Sequence, residues 1–185
     1  MNRKLSLESA YDLKSPKDNI ELYSVWAETY DMDFINEMQY KLHFSVADEF
    51  ILNGGEGLVL DVGAGTGALA QALLQKGKFS IEATDISEEM LKIAKSKNIY
   101  KRSFLSDLTK EIPVDDSFYD GVVSSGTFTH GHVGPSSVGE LVRVTKPGGL
   151  ITISINEKHW VALDFKSEVK KLNNYTRKYT LKKIS

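Results

Sequence analysis

A glycine-rich turn between an apolar run and a helical pattern is the first feature of this sequence that could do chemistry. The run LVLDV contains Asp61, and Gly63, Gly65 and Gly67 follow it directly. Glycines at such a turn let a ligand approach the backbone and the helix N-terminus closely. Because Gly63, Gly65 and Ala68 also satisfy the pattern G-x-G-x-x-G/A, the turn by itself predicts a nucleotide-type pocket without deciding which nucleotide.

Acidic residues after the next two apolar runs narrow the choice of ligand. Asp85 stands twenty residues beyond Gly65, where a carboxylate can accept both hydroxyls of a ribose. Asp107 and Leu108 follow the third run and offer a polar contact and an apolar face to an adenine, although Asp107 could instead begin a surface turn. Asp61 can hold a cationic amino group and would repel a pyrophosphate. These positions describe S-adenosylmethionine, with a nicotinamide dinucleotide as the alternative.

Strand-like runs alternate with helical patterns through the middle of the chain. Five apolar-rich runs lie at 58–62, 80–84, 100–105, 119–124 and 150–155, and the helical patterns GALAQALLQKG, SEEMLKIAKSKN and PSSVGELVRVTKPGG stand between some of them. Ser87 can cap one helix, and Pro147-Gly148-Gly149 can end another. This alternation predicts an α/β fold, a doubly wound, mostly parallel sheet with helices on both faces.

Composition excludes several other classes. The chain has 185 residues, of which 41% are hydrophobic and 26% charged, with a formal net charge of −2 and no cysteine. Length and apolar content predict one domain with its own core. Without a thiol there is no disulfide, zinc–thiolate site or cysteine nucleophile of the kind used to methylate pyrimidine C5. Since no run of about 18 apolar residues and no secretory signal is present, we expect a cytoplasmic protein without a membrane partner.

The charge is distributed unevenly along the chain. From Lys158 onward there are eight Lys or Arg and two Asp or Glu, a net charge of +6. Such a tail can bind nucleic acid or an anionic surface. However, Phe165, Val169 and Leu172 recur at helical spacing, which predicts an amphipathic helix with a lysine-rich outer face. We expect a short strand to follow it near residues 179–184.

In their type and order these motifs resemble those of class I S-adenosylmethionine-dependent methyltransferases. VLDVGAGTG is similar to the glycine-rich motif of that family, ATDIS to its ribose-binding acid and SDL to its adenine contact. YDGVVSSGTFTH and LVRVTKPGGLITISI are similar to its fourth and fifth strand segments, so the resemblance spans about residues 22–157. The stretches WAETYD and SGTFTHGHV further resemble the Williams-Beuren-region methyltransferase-like family. The resemblance implies a single Rossmann-like methyltransferase domain.

The resemblance also implies roles for individual residues and segments. Residues 1–53 would form a helical lid, 54–157 the cofactor-binding core, and 158–185 the basic helix and short strand. Trp26 and Tyr30 would belong to the lid, although aromatic residues four apart on a helix are as often part of a core. S-adenosyl-L-methionine would be held by Asp61, Gly63, Gly65 and Gly67 at its methionine part, Asp85 and Ile86 at ribose and adenine, Asp107 and Leu108 at the adenine, and Ser124 on its far side.

Methyl transfer from a sulfonium to an acceptor gives S-adenosyl-L-homocysteine by direct displacement, and a general base is needed only if the nucleophile must lose a proton. His130 and His132 are the candidate bases, because an imidazole titrates near neutrality and both follow the fourth strand. Either could instead bond to the backbone, and Gly131 between them favours His130. No compact cluster predicts a catalytic metal.

The acceptor is predicted to be a small molecule rather than a nucleic acid. Ser124-Ser125-Gly126-Thr127 stands where enzymes that methylate exocyclic amines of bases would show an Asn/Asp-Pro-Pro-aromatic segment. A third hypothesis is a catalytically silent cofactor-binding module that uses the basic tail to hold a nucleic-acid or protein partner. The family fold ends with an antiparallel seventh strand for which too few residues remain. The sheet edge would then be open, and a second copy in a homodimer could cover it.

Overall fold

The computed structural model describes residue 13 and residues 15–31, 41–129, 132–172, 175 and 179–184. Among these residues two helices, α1 (Pro16–Trp26) and α2 (Leu42–Leu52), precede the first strand. The central part contains β1 (Leu58–Val62), α3 (Ala68–Lys76), β2 (Ser80–Asp85), α4 (Glu88–Ser96), β3 (Arg102–Leu105), β4 (Tyr119–Phe128), α5 (Ser137–Val144) and β5 (Thr145–Ile155). Two short helices follow, α6 (Glu157–Ala162) and α7 (Phe165–Lys171).

The five strands form one parallel sheet in the order β3-β2-β1-β4-β5. In β1 successive side chains point to opposite faces, because the side-chain period of a strand is two residues. Val59 packs with Phe50 of α2 and Leu73 of α3, whereas Leu60 packs with Leu141 of α5. Both faces are therefore covered by helices, and the predicted doubly wound α/β fold is confirmed.

Strand register brings the predicted acids to one edge of the sheet. Asp61 of β1 lies opposite Ala83 of β2, and Asp85 at the end of β2 lies opposite Leu105 of β3. Since all the strands run in the same direction, the turns that follow β1, β2 and β3 open at this edge.

Two boundaries differ from the sequence prediction. The helix predicted to reach Pro147-Gly148-Gly149 ends at Val144, where the Thr145 hydroxyl donates to the Leu141 carbonyl at 2.6 Å. The residues from Thr145 onward belong to β5, because Tyr119 of β4 already pairs with Thr145.

The described residues of the basic C-terminal part form helices but no strand. Phe165 of α7 is fully buried and stacks on Trp160 with ring centroids 5.8 Å apart, so this part packs against the core. The strand predicted at 179–184 is wrong, since these residues carry no regular secondary structure. Lys182 and Lys183 bind Glu49 and Glu157 instead, and the neighbouring apolar side chains stay exposed, so the segment buries no apolar face against the sheet.

The strands β3 and β5 are the two edges of the sheet. Within the described residues no strand pairs with the outer side of β5, so the seventh strand of the family fold is missing from this part of the chain. No helix in the described ranges combines the length and apolarity required to cross a membrane.

Candidate active site

The glycines in the turn after β1 face two different environments. At Gly63 (φ 66°) a Cβ atom would lie 2.1 Å from Oγ1 of Thr127, which itself donates to the Val62 carbonyl at 3.2 Å. At Gly65 (φ 53°) a Cβ atom would meet nothing within 4 Å. Gly63 is therefore required by packing against β4, whereas Gly65 presents bare backbone to open space.

Asp85 links this turn to the start of α4. One carboxylate oxygen accepts from the Gly65 N–H at 2.8 Å, and the other accepts from the Ser87 N–H at 2.9 Å. Ser87 caps α4, as predicted, by accepting from the Met90 N–H at 3.2 Å. Burial raises the pKa of Asp85, while the backbone N–H groups at Ser87 and Gly65 act in the opposite direction.

Asp61 lies beneath the same turn and is almost completely buried, with 1% of its surface exposed. Tyr100, which precedes β3, donates its hydroxyl to Asp61 Oδ2 at 2.7 Å. Burial raises the pKa of Asp61 to about 7, the Tyr100 hydrogen bond opposes that rise, and the nearby Asp85 charge adds to it. The pKa of Tyr100 is raised well above its usual range for the same reasons, since it is buried beside two carboxylates.

Asp107 begins a turn and also borders the site, so the two roles left open by its sequence are compatible. Its Oδ1 accepts from the N–H and the hydroxyl of Thr109, at 3.0 and 2.6 Å. Burial would raise the pKa of Asp107, but these two donors and the charge of Lys110 outweigh it, so the pKa is lowered. Leu108 beside it is buried and offers an apolar surface.

These elements surround one cavity that is partly open to solvent, with an empty space of about 700 Å³ that includes part of the open solvent. Residues predicted from the sequence that line it are Tyr30, Gly63, Gly65, Asp85, Ile86, Asp107, Leu108 and His132. Tyr23, Ser106, Thr127 and Val133 line it as well.

Other predicted residues lie behind the cavity wall. Asp61 is under the glycine turn, and Gly67 (φ 94°) is the N-terminal cap of α3. Ser124 is fully buried in β4, where its hydroxyl donates to the Val62 carbonyl at 2.7 Å. Trp26 is fully buried in the core of the N-terminal segment, beside Tyr30, with ring centroids 5.1 Å apart. His130 lies outside the described residues.

The N-terminal segment is attached to the glycine turn by Asp31. Its two carboxylate oxygens accept from the Thr66 hydroxyl and from Lys97 Nζ, the latter at 2.6 Å. Lys97 also donates to Gln71 at 3.1 Å. Asp31, five residues after the end of α1, therefore contacts the turn, while Tyr23 and Tyr30 line the cavity.

Sequence reasoning did not assign Tyr100, Thr127 or Tyr23 to the site. Tyr100 hydrogen-bonds to Asp61, and Thr127 packs against Gly63. Tyr23 hydrogen-bonds to His132, which lies 109 positions away in the sequence. The aromatic content of the opening segment was the single available signal for Tyr23, and it does not indicate a partner. A group of three or more His, Asp or Glu side chains arranged as metal ligands does not occur among the described residues.

Comparison with known proteins agrees with this geometry. Residues 60–153 match the family described as "Methyltransferase domain". The chain belongs to this family. The matched region contains the glycine turn, Asp85, Asp107 and the strands that hold them, and the fold is that of the class I S-adenosylmethionine-dependent methyltransferases.

Three known proteins show the extent of the similarity. The chain is 30% identical to human methyltransferase-like protein 27 over 153 residues, 80% of this chain and 62% of that protein. It is 30% identical to a ubiquinone/menaquinone biosynthesis C-methyltransferase of Burkholderia mallei over 165 residues, 85% of this chain and 60% of that protein. The chain thus spans about three fifths of these relatives. A crystal structure titled as a putative S-adenosyl-L-methionine-dependent methyltransferase of Methanococcus maripaludis aligns with 26% identity and a TM-score of 0.55, covering 82% of this chain and 73% of that one.

Proposed function

We propose that this protein is a methyltransferase that binds S-adenosyl-L-methionine and transfers its methyl group to a small molecule. The observation that carries the proposal is the position of the glycine turn, Asp85 and Leu108 around a single cavity. These are the groups that the sequence motifs assign to the three parts of the cofactor.

The residues present fit this cofactor. Gly65 leaves space that any Cβ would enter, so a ligand can lie directly on its backbone. The carboxylate of Asp61 favours a cationic ligand and disfavours a pyrophosphate. This charge arrangement argues against the alternative of a nicotinamide dinucleotide.

Each group would have a separate role. Asp85 accepts hydrogen bonds from the ribose hydroxyls, since its oxygens have lone pairs beyond the two used by Gly65 and Ser87. Ile86 and Leu108 pack against the adenine, and Asp107 lies at its edge. Asp61 supplies negative charge near the amino group from beneath the turn. Ser124 and Gly67 keep β4 and α3 in position.

When bound, S-adenosylmethionine supplies a methyl group activated by the sulfonium beside it. The chain's own contribution is mainly to align the acceptor and to exclude water, which can contribute up to ~7–11 kcal/mol in favourable systems. Tyr23 and Tyr30 border the cavity on the side of α1, so this segment acts as the lid. His132 lines the cavity and is the proposed general base within the described residues, while His130 stays a sequence prediction.

The lining of the cavity supports a small acceptor. Tyr23 and Tyr30 of the N-terminal segment line it together with Asp85 and Leu108 at the strand ends, so an acceptor would be bound between these two parts of the molecule. One relative is named a ubiquinone/menaquinone biosynthesis C-methyltransferase, and this name agrees with the proposal of a compact acceptor.

Titration calorimetry with S-adenosylhomocysteine tests cofactor binding. We expect saturable binding that Asp85→Ala weakens, and no comparable binding of NADH. If the wild-type protein does not bind S-adenosylhomocysteine, the proposal is wrong.

Incubation with methyl-labelled cofactor and a fractionated cell extract tests the acceptor class. Label in the RNA or protein fraction instead of the small-molecule fraction would contradict a small acceptor.

Within the described residues no strand pairs with the outer side of β5, and this edge is the proposed site of contact in a homodimer, because an unpaired edge strand can pair with another chain. Sedimentation analysis tests this part separately. A monomer at all concentrations would reject the dimer and leave the methyltransferase proposal unaffected.

A further inference from the structure

Two side chains from distant parts of the chain meet at the cavity wall. Tyr23 Oη of α1 and His132 Nε2, in the loop after β4, are 2.9 Å apart, and their ring centroids are 5.7 Å apart. Both residues line the cavity that Gly65 and Asp85 also line. The pair therefore borders the same space as the groups proposed to hold the methyl donor.

Each partner is held by its surroundings. The Tyr23 ring stacks near the fully buried Trp26, with centroids 6.3 Å apart, and contacts Tyr30 edge-on at 6.0 Å. The backbone N–H of His132 donates to the Thr129 carbonyl at 3.1 Å. The next residue, Val133, bonds through its carbonyl to the buried His159 ring at 2.9 Å. The hydrogen bond between phenol and imidazole thus joins two supported segments.

We infer that Tyr23 and His132 form a proton relay, and that the methyl acceptor presents its nucleophilic atom as a hydroxyl group. This inference rests on the proposed function. It assigns Tyr23 as a catalytic residue that contacts the acceptor, and His132 as the group that finally holds the proton.

The direction of the hydrogen bond follows from the acidity of the two groups. A phenol is a stronger donor than a neutral imidazole N–H, and an imidazole nitrogen is a stronger acceptor than a phenol oxygen. The Tyr23 hydroxyl therefore donates to Nε2 of neutral His132. A tyrosine oxygen that donates its hydrogen can still accept one, so an acceptor hydroxyl can bond to Tyr23.

The proton and electrons balance along this path. Tyr23 Oη takes the proton of the acceptor hydroxyl and passes its own hydrogen to His132 Nε2. At the same time the acceptor oxygen bonds to the methyl carbon, and the electron pair of the breaking carbon–sulfur bond goes to sulfur. The products are a methyl ether, a neutral thioether and an imidazolium, so the total charge stays at +1. An amine would need no such relay, because its lone pair attacks before any proton leaves.

The variant Tyr23→Phe removes the hydroxyl and keeps the ring. Tyr175→Phe makes the same chemical change at an exposed residue of the C-terminal part and serves as the matched control. The first readout is long-range proton–nitrogen NMR of histidine-labelled protein saturated with S-adenosylhomocysteine. We expect His132 Nε2 to be the unprotonated nitrogen in the wild type and in Tyr175→Phe, and the two tautomers to mix in Tyr23→Phe.

The second readout is transfer of labelled methyl into O-methyl products of a cell extract. General acid–base catalysis contributes typically 10²–10⁴-fold, so we expect Tyr23→Phe to reduce transfer about 100-fold or more and Tyr175→Phe to leave it unchanged. A protonated Nε2 in the wild type, label mainly in N-methyl products, or equal transfer by Tyr23→Phe would overturn the relay. So would a loss of transfer that only matches a loss of S-adenosylhomocysteine affinity, because Tyr23 would then merely hold the lid. Failure of the wild type to bind S-adenosylhomocysteine would reject the proposed function instead.

Discussion

The cavity has a proposed cofactor side and a proposed acceptor side, and different kinds of contact hold the residues of each side in place. On the cofactor side, the Asp85 carboxylate is fixed by backbone N–H groups of the adjacent turns, Gly65 and Ser87. On the acceptor side, Tyr23 and His132 meet through their side chains across 109 positions of sequence. Backbone contacts between neighbouring turns follow directly from the parallel sheet, whereas side-chain contacts between distant segments require the whole lid to be in place.

This difference predicts different sensitivities. Changes at the glycine turn should disturb folding or cofactor binding at once, because the backbone there has no alternative arrangement. Changes in the lid should weaken cofactor binding less, and they should mainly reduce methyl transfer to the acceptor. The following experiments test that contrast, in order of decreasing expected effect.

The largest contrast is expected between Gly63→Ala and Gly65→Ala. At Gly63 the new Cβ would meet Thr127, so left-handed strain and overpacking together should lower the free energy of unfolding by about 2–5 kcal/mol. At Gly65 only the strain of about 1–2 kcal/mol applies, but the Cβ enters the ligand space. Denaturant unfolding and calorimetry with S-adenosylhomocysteine should therefore separate a destabilised protein from a stable one that no longer binds. Equal stability of the two variants would contradict the packing role of Gly63.

Asp85→Ala should weaken S-adenosylhomocysteine binding by about 100-fold. A hydrogen bond to a charged group contributes about 1.5–3 kcal/mol, and this carboxylate organises the turn and is proposed to hold the ribose. Glu88→Ala, an exposed acid at the start of α4, is the matched control and should change affinity less than about twofold. Similar losses in the two variants would mean that general negative charge, not the position of Asp85, supports binding.

Cofactor affinity should depend on pH through Asp61, whose pKa lies at about 7. Tyr100 and Asp85 are the titratable groups that act on it. Below pH 7 the protonated carboxyl no longer attracts a cation, so affinity for S-adenosylmethionine should fall by up to about tenfold per pH unit, and Asp61→Asn should flatten the profile.

The same pKa has a consequence for stability. The folded state binds this proton more tightly than the unfolded chain, so the contribution of Asp61 is fully present below about pH 4 and is lost as the pH rises through 7. Asp61→Asn should therefore gain stability relative to the wild type above pH 7. A constant difference in the free energy of unfolding from pH 4 to 8 would contradict the raised pKa.

The smallest effect is expected at Asp31. Asp31→Asn weakens the ion pair with Lys97 and keeps an oxygen for Thr66. Partly exposed pairs of this kind contribute about 0.2–1 kcal/mol, so S-adenosylhomocysteine affinity should fall no more than about fivefold. Hydrogen exchange of the α1 amides should become faster. A loss as large as that of Asp85→Ala would show that the lid and the glycine turn are equally important for the cofactor.

The sequence predicted the positions of the glycine turn, the strand-end acid and the helix cap well because their spacing is local. Gly63, Asp85 and Ser87 each act within a few residues of a strand end, and the alternation of runs already indicated a parallel sheet. The strand at 179–184 was wrong because the segment binds Glu49 and Glu157 on distant helices instead of burying an apolar face. The role of Tyr100 was missed because its partner is 39 positions away.

By itself the sequence determined the fold class, the glycine turn and the order of the acids at the strand ends, since these depend on periodicity and on short-range backbone geometry. Only the tertiary structure decided that Asp61 is buried against Tyr100, that Ser124 braces β1, and that Tyr23 meets His132 at the cavity. Those contacts depend on how the sheet and the lid pack together, and no local spacing encodes the distance between two side chains from separate segments.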